Sequence, residues 1–454
     1  MKAKIESYKS GAIYSAGLSV VVKFIAFFQN FLIAYYLGAG TGTDIYFYMF
    51  GGMIAACEIL QSITSSILIP RSMLLRNQDS FHTENAYLNA FLYTILSIAT
   101  IIIGIILING KECLLFLSNF SAQDIDIHLP LLYILLPASI PYIINVVYVE
   151  VLASYKYFVF PQVITVINNI FIILFIVLFH ASLGVFSLAV GFGIATIINF
   201  LWLVIFIKRN LSWSYSSFSF THLKDSFSDI CVKLVNDSTM AFTTMFPMYL
   251  LSMFYPGTIT VITYANKLSQ APMILLVQLF AVLQIKLSEL YSKHLGREMK
   301  RTYMEIGGKS ILLSLIGAIF FFILRRPIVE ICFGNGAMTP ENIEVFIEVL
   351  GILIVSIPFS IIVAVSMRML FVMRKIKVYT LFMIPCNIIT CVLYYCLIEK
   401  NGVNGYAMAD VSMEIVKSIM LSGCTLLLLK KIKCKYEESV SYTHLRAHET
   451  EADL

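Results

Sequence analysis

Charged residues are scarce in this sequence. Asp, Glu, Lys and Arg together make up 13% of its 454 residues, whereas apolar residues make up 59%. Soluble proteins carry about 25% charged and roughly 45–50% apolar residues. A soluble fold would leave too much of this apolar surface in contact with water, because folding buries only part of a chain's surface. The composition therefore excludes an ordinary soluble protein and indicates one whose solvent is lipid.

Motifs for catalysis, metal binding and nucleotide binding are also missing. The sequence has no GxxxxGK[ST] string for nucleotide phosphates and no HExxH pair for zinc. Its nine cysteines include no CxxC pair, which argues against a disulfide framework or a structural zinc site. We therefore expect no enzyme, no resident cofactor and no nucleic-acid partner. An integral-membrane transferase stays open, although no motif supports it.

Long apolar runs fill most of the sequence up to residue 435. A helix needs about 20 apolar residues to cross the bilayer core, and these runs are too long and unbroken for the strands of a barrel. We predict an all-α polytopic membrane protein with about twelve transmembrane helices. The predicted spans are 11–37, 44–69, 86–108, 131–153, 162–179, 183–207, 230–255, 259–285, 310–324, 345–365, 379–398 and 403–429.

The Lys and Arg residues between these spans fall mostly on one side of the membrane. If the N-terminus is cytoplasmic, the outer side receives only Lys111, Arg325, Arg326 and Lys400, and basic loops are typical of the cytoplasmic side. The longest polar connection of the first half follows the sixth span. We therefore predict a cytoplasmic N-terminus and these parts: a six-helix bundle at 1–207, an interfacial cytoplasmic linker at 208–229 and a second six-helix bundle at 230–435.

The last residues, 436–454, differ in character from the rest of the chain. They look like a translated sequencing adapter, a string that recurs on unrelated sequences. His444 and His448 lie at helical spacing beside Glu449 and form a superficial zinc pattern, which such an origin makes a poor candidate. We expect that this tail is not native and that the native chain continues beyond about residue 438.

Two lysines lie well inside predicted spans, where a charge costs about 2.5–3.5 kcal/mol on insertion scales. Lys23 and Lys267 have no acidic residue three or four positions away, and Asn30 follows Lys23 on the same helical face. One interpretation is that the lysines snorkel to the interface or pair with distant carboxylates. The other is a cationic cavity whose fixed charges offset the desolvation of an anionic head group such as a phosphate.

Oxygen ligands in the second half of the chain suit a hard cation or a proton. Asp237 lies four positions after Lys233, so these two side chains could instead neutralise each other. Asn387 lies at similar depth in the eleventh span, and Asp410 begins a polar stripe in the twelfth that continues at Glu414. The hypothesis is one coupling site for Na⁺ or H⁺, formed by Asp237, Asn387 and Asp410.

Four sequence elements occur in the order in which the MurJ (MviN) lipid II flippases carry them. The stretch 23–44, with its Leu-Gly-Ala-Gly-Thr-Gly-Thr-Asp ending, resembles the opening of that family. The Leu-Pro at 136–137, followed by the stretch 152–169, is similar to a second element. The Tyr-Ala-Asn-Lys-Leu of 264–268 resembles the family's Tyr-Ala-Asp-Arg-Leu, and 333–339 resembles its Phe-Gly-x-Gly-x-Phe-Thr loop. The resemblance covers nearly the whole chain up to residue 435.

The resemblance implies two six-helix bundles around a central cavity, with two extra C-terminal helices in the family, for a total of about 14. Family arginines in the cavity bind the diphosphate. Lys23 and Lys267 stand at two of those positions, Gln29 replaces a third arginine and Asp44 matches a family aspartate. Lysine keeps the charge but lacks the bidentate fork of arginine. With Asn30 added, the predicted substrate contacts are Lys23, Gln29, Asn30, Asp44 and Lys267.

The leading hypothesis is alternating-access flipping of an undecaprenyl-diphosphate-linked glycan, similar to lipid II, across the bacterial inner membrane. A cation gradient or the membrane potential would drive it. The expected partners are this lipid-linked glycan and membrane lipids, with the protein as a monomer. The alternatives are a flippase for O-antigen or capsular oligosaccharide-lipids, a multidrug–cation antiporter of the same exporter superfamily, and a scaffold without transport.

Overall fold

The computed structural model of this protein describes residues 8–78, 80–211, 213–293 and 295–452. The regular secondary structure of these residues is helical, and no β-strand occurs among them. The α-helices are α1 (Tyr8–Leu37), α2 (Thr41–Ile63), α3 (Ile69–Gln78), α4 (Phe81–Ile108), α5 (Gly110–Leu117), α6 (Ala122–Ser154), α7 (Phe160–Leu183), α8 (Phe186–Leu211), α9 (Thr221–Leu251), α10 (Thr258–Ser269), α11 (Met273–Ser292), α12 (Gly296–Phe333), α13 (Pro340–Ile354), α14 (Ile357–Val372), α15 (Ile376–Asn401) and α16 (Val403–Ala452). A π-helical turn, Thr64–Leu68, joins α2 to α3.

Many of these helices are long and apolar enough to cross a membrane. Nine helical stretches of the described residues meet this condition, and α13 with α14 adds a tenth if the two count as one span bent by 43°. Pro358 in the first turn of α14 accounts for the bend, because proline has no N–H and its ring clashes with a preceding helical turn. The architecture confirms the predicted all-α polytopic membrane protein.

Besides the predicted span 345–365, which is bent between α13 and α14, two predicted spans differ from the helices observed. The predicted span 259–285 is interrupted, because α10 ends at Ser269 and α11 begins only at Met273. Pro272 stands directly before α11, and proline disfavours the helical conformation in the residue that precedes it. The prediction of one continuous helix was wrong at this point. The predicted span 230–255 lies in α9, which is not among the apolar stretches found in the described residues; its polar side chains, such as Asn236, lower its hydropathy.

The chain packs into two compact units. Unit 1 consists of Met1–Tyr264 and Pro327–Phe346, and unit 2 consists of Ala265–Arg326 and Ile347–Leu454. The bundle boundaries proposed from the sequence, at 207, 229 and 435, stay a prediction.

The core of unit 1 is built where α4, α6 and α8 meet. Tyr87, Leu152 and Leu203 are fully buried there and belong to one hydrophobic cluster. On the other side of α8, a Cβ at Gly191 would lie 3.0 Å from the Cα of Ile172 in α7. A side chain at this position would push the two helices apart by a few tenths of an ångström, and small residues are common at such close contacts between membrane helices.

The segment between α8 and α9 is fixed to α4. Trp213 is 4% exposed and donates from Nε1 to Oδ1 of Asn89 at 2.9 Å. The Nδ2 of Asn89 donates to the carbonyls of Ser214 and Ser217, each at 2.7 Å. The Oδ1 of Asn85 accepts from the backbone N–H of Ser214 at 3.1 Å. This part of the predicted interfacial linker therefore follows a defined path along α4.

The core of unit 2 lies between α11, α12, α14 and α16. Its cluster of buried side chains includes Leu287, Met299, Met369 and Leu421. α16 packs against both α14 and α15, and this arrangement positions the polar side chains of α16 described below.

Candidate functional site

Asp44, in the first turn of α2, is 3% exposed and binds the start of α10. Its Oδ1 accepts from the backbone N–H of Thr260 at 2.7 Å and from the Thr260 hydroxyl at 2.6 Å. Its Oδ2 accepts from the N–H of Gly257 at 2.7 Å. The first N–H groups of a helix have no partner within the helix, and a carboxylate placed there is stabilising. Asp44 therefore caps α10 from another helix, and both of its carboxylate oxygens are engaged in this conformation.

Three glycine-containing loops meet around this cap within unit 1. The N–H of Ala337 donates to the carbonyl of Tyr35 at 3.0 Å, and Nδ2 of Asn342 donates to the carbonyl of Ala39 at 2.9 Å. Gly257 has φ +96°, and a Cβ on it would lie 2.8 Å from the oxygen of Ala39. A Cβ on Gly336 would lie 2.5 Å from the Cα of Tyr35. We call residues 35–40, 255–260 and 334–342 the three-loop cluster; two of its loops are elements on which the family resemblance was based.

The predicted substrate contacts on α1 differ in exposure. Lys23 presents an exposed side chain in a candidate membrane span, Gly17–Leu37. Gln29 is half-buried, and its Oε1 is a buried atom with no hydrogen-bond partner among the described residues. Asn30 is buried and donates from Nδ2 to the carbonyl of Ala26 at 2.6 Å, in its own helix. Lys23 is thus the accessible cationic group of this set, and Asn30 uses one of its donors on the helix backbone.

Lys267 lies in unit 2, in the last turn of α10, and its side chain is exposed. The residue before it, Asn266, donates from Nδ2 to the hydroxyl of Tyr406 in α16 at 2.8 Å. The Lys267 side chain is thus exposed, whereas the neighbouring Asn266 is bound to α16.

Of the three residues of the predicted coupling site, Asp237 and Asn387 are buried and Asp410 is half-buried. Asp237 is 7% exposed; its Oδ1 accepts from Nζ of Lys233 at 3.1 Å and from Nδ2 of Asn236 at 3.0 Å. The alternative that Lys233 and Asp237 neutralise each other is therefore realised. Asp237 belongs to unit 1, whereas Asn387 and Asp410 belong to unit 2. Among the described residues no group of three or more His, Cys, Asp or Glu side chains is arranged to hold a metal ion. A shared site with Asn387 stays a prediction.

The polar stripe of α16 forms specific pairs within unit 2. Glu414 accepts from Nζ of Lys417 at 3.1 Å and from the hydroxyl of Ser360 at 3.1 Å. Asp410 is half-buried, and its Oδ1 accepts from the hydroxyl of Tyr394 at 3.4 Å. Glu414 and Lys417 thus satisfy each other, whereas Asp410 is bound by a tyrosine.

One polar cluster in unit 1 was not anticipated from the sequence. The fully buried carboxylate of Glu84 lies 3.7 Å from Nη1 of Arg76 and accepts from the hydroxyl of Tyr155 at 2.5 Å. The Arg76 guanidinium also lies over the Tyr155 ring, 4.1 Å from its centroid. The cluster joins α3 and α4 to Tyr155, the residue directly after α6. The only sequence signal was a carboxylate in the first turn of an apolar helix.

The fold resembles solved transporter structures. A structure described as lipid II flippase MurJ in an inward closed conformation matches with a TM-score of 0.76 and 16% identity, over 93% of this chain and 93% of that chain. An inward-facing multidrug resistance MATE family transporter of the MOP superfamily matches with a TM-score of 0.76 and 13% identity, over 93% of this chain and 99% of that one. At these identities the likeness shows the fold alone, an all-α polytopic membrane fold.

The family model described as lipid II flippase MurJ matches residues 33–448. The chain therefore belongs to the MurJ lipid II flippase family, as the sequence elements indicated, and is an integral protein of the bacterial inner membrane. A probable lipid II flippase MurJ of Bdellovibrio bacteriovorus is 25% identical over 199 residues, which cover 44% of this chain and 37% of that protein. One of Buchnera aphidicola subsp. Schizaphis graminum is 24% identical over 354 residues, 73% of this chain and 66% of that protein. The chain thus spans less than two thirds of the length of these two relatives.

Proposed function

We propose that this protein flips an undecaprenyl-diphosphate-linked glycan of the lipid II type from the inner to the outer leaflet by alternating access. The family match over residues 33–448 carries the proposal. MATE family transporters of this fold have been solved in inward-facing and in outward-facing conformations, which supports a protein that changes its open side. The N-terminus is proposed to be cytoplasmic and the protein to act as a monomer.

Lys23 and Lys267 are the proposed contacts of the diphosphate. Both side chains are exposed although each lies in an apolar helical region. A fixed ammonium group offsets the desolvation of a phosphate and forms charge-assisted hydrogen bonds with it. Gln29, whose Oε1 has no partner among the described residues, is a proposed contact for a hydroxyl or amide of the cargo.

In the observed conformation, Asp44 is proposed to act by holding the start of α10 rather than by contacting the substrate. Its two oxygens hold the start of α10, so contact with substrate would require that this cap is released. Asp237, Asn387 and Asp410 are the proposed coupling groups for Na⁺ or H⁺, with the membrane potential as the other driving force. A cation at Asp237 would have to displace Lys233.

Complementation tests the proposal. A bacterial strain depleted of its own lipid II flippase should grow when it expresses this protein, and Lys23→Ala or Lys267→Ala should impair growth while the protein still inserts in the membrane. Loss of an intramembrane charge should ease insertion, so failure to insert is not the expected cause. Lys309→Ala is the matched control, because Lys309 is exposed and its ion pair among the described residues is with Glu305 on its own helix. Unimpaired growth with both lysine variants would contradict the proposal.

The strain that the protein rescues distinguishes the remaining candidate functions. A flippase for O-antigen or capsular oligosaccharide-lipids would rescue a strain that lacks that flippase and would fail in the lipid II strain. An antiporter would confer drug resistance instead; the MATE fold likeness supports only the shared architecture.

A further inference from the structure

Lys267 lies near the end of a short helix, α10, and a turn separates this helix from α11. α10 ends at Ser269, and α11 begins at Met273 after a turn that contains Pro272. The last carbonyl groups of a helix lack partners within the helix, and a helix this short has few backbone bonds to keep it straight. The position of Lys267 therefore depends on side chains that tie this turn to neighbouring helices.

One such tie is the hydrogen bond from Asn266 to Tyr406. The Nδ2 of Asn266 lies 2.8 Å from the Tyr406 hydroxyl, and Tyr406 is 7% exposed. Asn266 directly precedes Lys267, so a shift of its backbone moves the attachment point of the lysine side chain. The bond lies entirely within unit 2.

Tyr406 is itself held in place by α15. Its ring stacks on that of Tyr394, with centroids 5.3 Å apart and planes inclined by 9°. The hydroxyl of Tyr394, which is also buried, donates to Oδ1 of Asp410, one helical turn after Tyr406 on α16. Asn266, Tyr406, Tyr394 and Asp410 therefore form a continuous series of contacts from the end of α10 to α15 and α16.

We propose that Tyr406 is a positioning residue for the cargo site: it fixes the last turn of α10 so that Lys267 meets the phosphate groups of the lipid carrier, and Tyr394 with Asp410 braces it. The inference rests on the proposed function, because the anionic ligand of Lys267 is part of that function. A lysine has a flexible four-carbon stem and no rigid fork. Its contact with phosphate therefore gains from a backbone that is ordered before the ligand arrives.

A purely structural role for Tyr406 predicts a different outcome. If Tyr406 served only to fill the space beside Tyr394, phenylalanine would replace it without consequence, because the stacked ring is retained. Tyr406→Phe keeps the ring and removes the hydroxyl, which accepts from Asn266 and also interacts with the Tyr394 hydroxyl. Asn266→Ala removes the same hydrogen bond from the other side.

The test is the dependence of flipping rate on the concentration of an undecaprenyl-diphosphate-linked glycan in proteoliposomes that contain the full chain. Tyr406→Phe and Asn266→Ala should each raise the half-saturating concentration about 3- to 10-fold, the range expected for one hydrogen bond, with a maximal rate close to that of the unmodified protein. The double variant should lose no more than Tyr406→Phe alone, since the bond between Asn266 and Tyr406 is already absent in that single variant. In a Lys267→Ala background, Tyr406→Phe should have no further effect.

Tyr303→Phe is the matched control, because Tyr303 is a buried tyrosine of unit 2 that bonds to Ser366 at 2.9 Å. It should leave the half-saturating concentration unchanged. If Tyr406→Phe and Lys267→Ala give additive losses, or if Tyr406→Phe lowers only the maximal rate, the positioning role is overturned while the proposed function stands. If the unmodified protein flips no diphosphate lipid, both proposals fail.

Discussion

Asp44 and Thr260 join two helices through residues that are 216 positions apart in the sequence, with one carboxylate oxygen accepting from both the backbone and the hydroxyl of Thr260. Alternating access requires contacts that exist in two discrete arrangements, one for each open side. A buried carboxylate that is fully bonded in one conformation meets this requirement, because its release must be compensated by other partners. We therefore expect the Asp44–Thr260 contact to influence which conformation the protein prefers.

Removal of the Asp44 carboxylate should destabilise the observed conformation. Asp44→Ala leaves the N–H groups of Gly257 and Thr260 without acceptors, and each buried unsatisfied donor costs about 1–3 kcal/mol. The midpoint temperature of thermal unfolding in detergent should decrease clearly for Asp44→Ala. It should decrease less for Asp44→Asn, because asparagine keeps one acceptor oxygen. Asp126→Ala is the control, because the ion pair that Asp126 forms with Lys111 is exposed. Equal stability of Asp44→Ala and Asp126→Ala would refute this interpretation.

The Asn89 side chain should hold the linker on α4. Asn89→Ala removes two hydrogen bonds to the linker backbone and one from Trp213, each worth about 0.5–1.5 kcal/mol. Limited trypsin digestion should then cleave at Lys208 and Arg209 faster than in the unmodified protein, because this stretch opens more often. Thr94→Ala in the same helix should not change the rate, since the Thr94 hydroxyl donates to the carbonyl of Ala90 within α4. Unchanged cleavage of Asn89→Ala would show that the linker is held by other contacts.

The Arg76–Glu84 pair should be far more sensitive to mutation than an exposed pair. Arg76→Leu leaves the buried Glu84 carboxylate without its cation, and breaking a buried pair costs about 3–5 kcal/mol. Arg71→Leu is the matched control, because its ion pair with Asp225 is exposed and worth about 0–1 kcal/mol. A double change, Arg76→Leu with Glu84→Gln, should recover part of the lost stability. Similar unfolding temperatures for Arg76→Leu and Arg71→Leu would contradict the assignment of a buried charge cluster.

The charge distribution predicts the orientation in the membrane. Reporter fusions after Arg76, Lys208 and Arg374 should be cytoplasmic, and fusions near Lys111 and Lys400 should be external. A cytoplasmic reporter signal at Lys111 would show that the assignment of the spans is incorrect.

The fold class could be predicted from the sequence because membrane helices are specified by local composition. The apolar runs follow this rule, and the Lys233–Asp237 pair could be anticipated from its spacing along one helix. The glycine motifs at 38–40 and 334–336 were recognised from the family resemblance. The partners of Asp44 and Glu84 could not, since they lie on helices distant in sequence. The interruption before α11 was missed because Pro272 was read as part of a long apolar run.

The central claim is that Lys23 and Lys267 bind the diphosphate of a lipid-linked glycan during its flipping. The most direct measurement is the flipping rate of a fluorescent undecaprenyl-diphosphate-linked glycan in proteoliposomes that contain the full chain, beside the same carrier with a single phosphate. We expect the diphosphate carrier to be flipped faster. We also expect its flipping rate to fall at least about 10-fold when both lysines are replaced with alanine, which corresponds to about 1.4 kcal/mol. Equal rates for the two carriers, or an unchanged rate in the double variant, would contradict this claim.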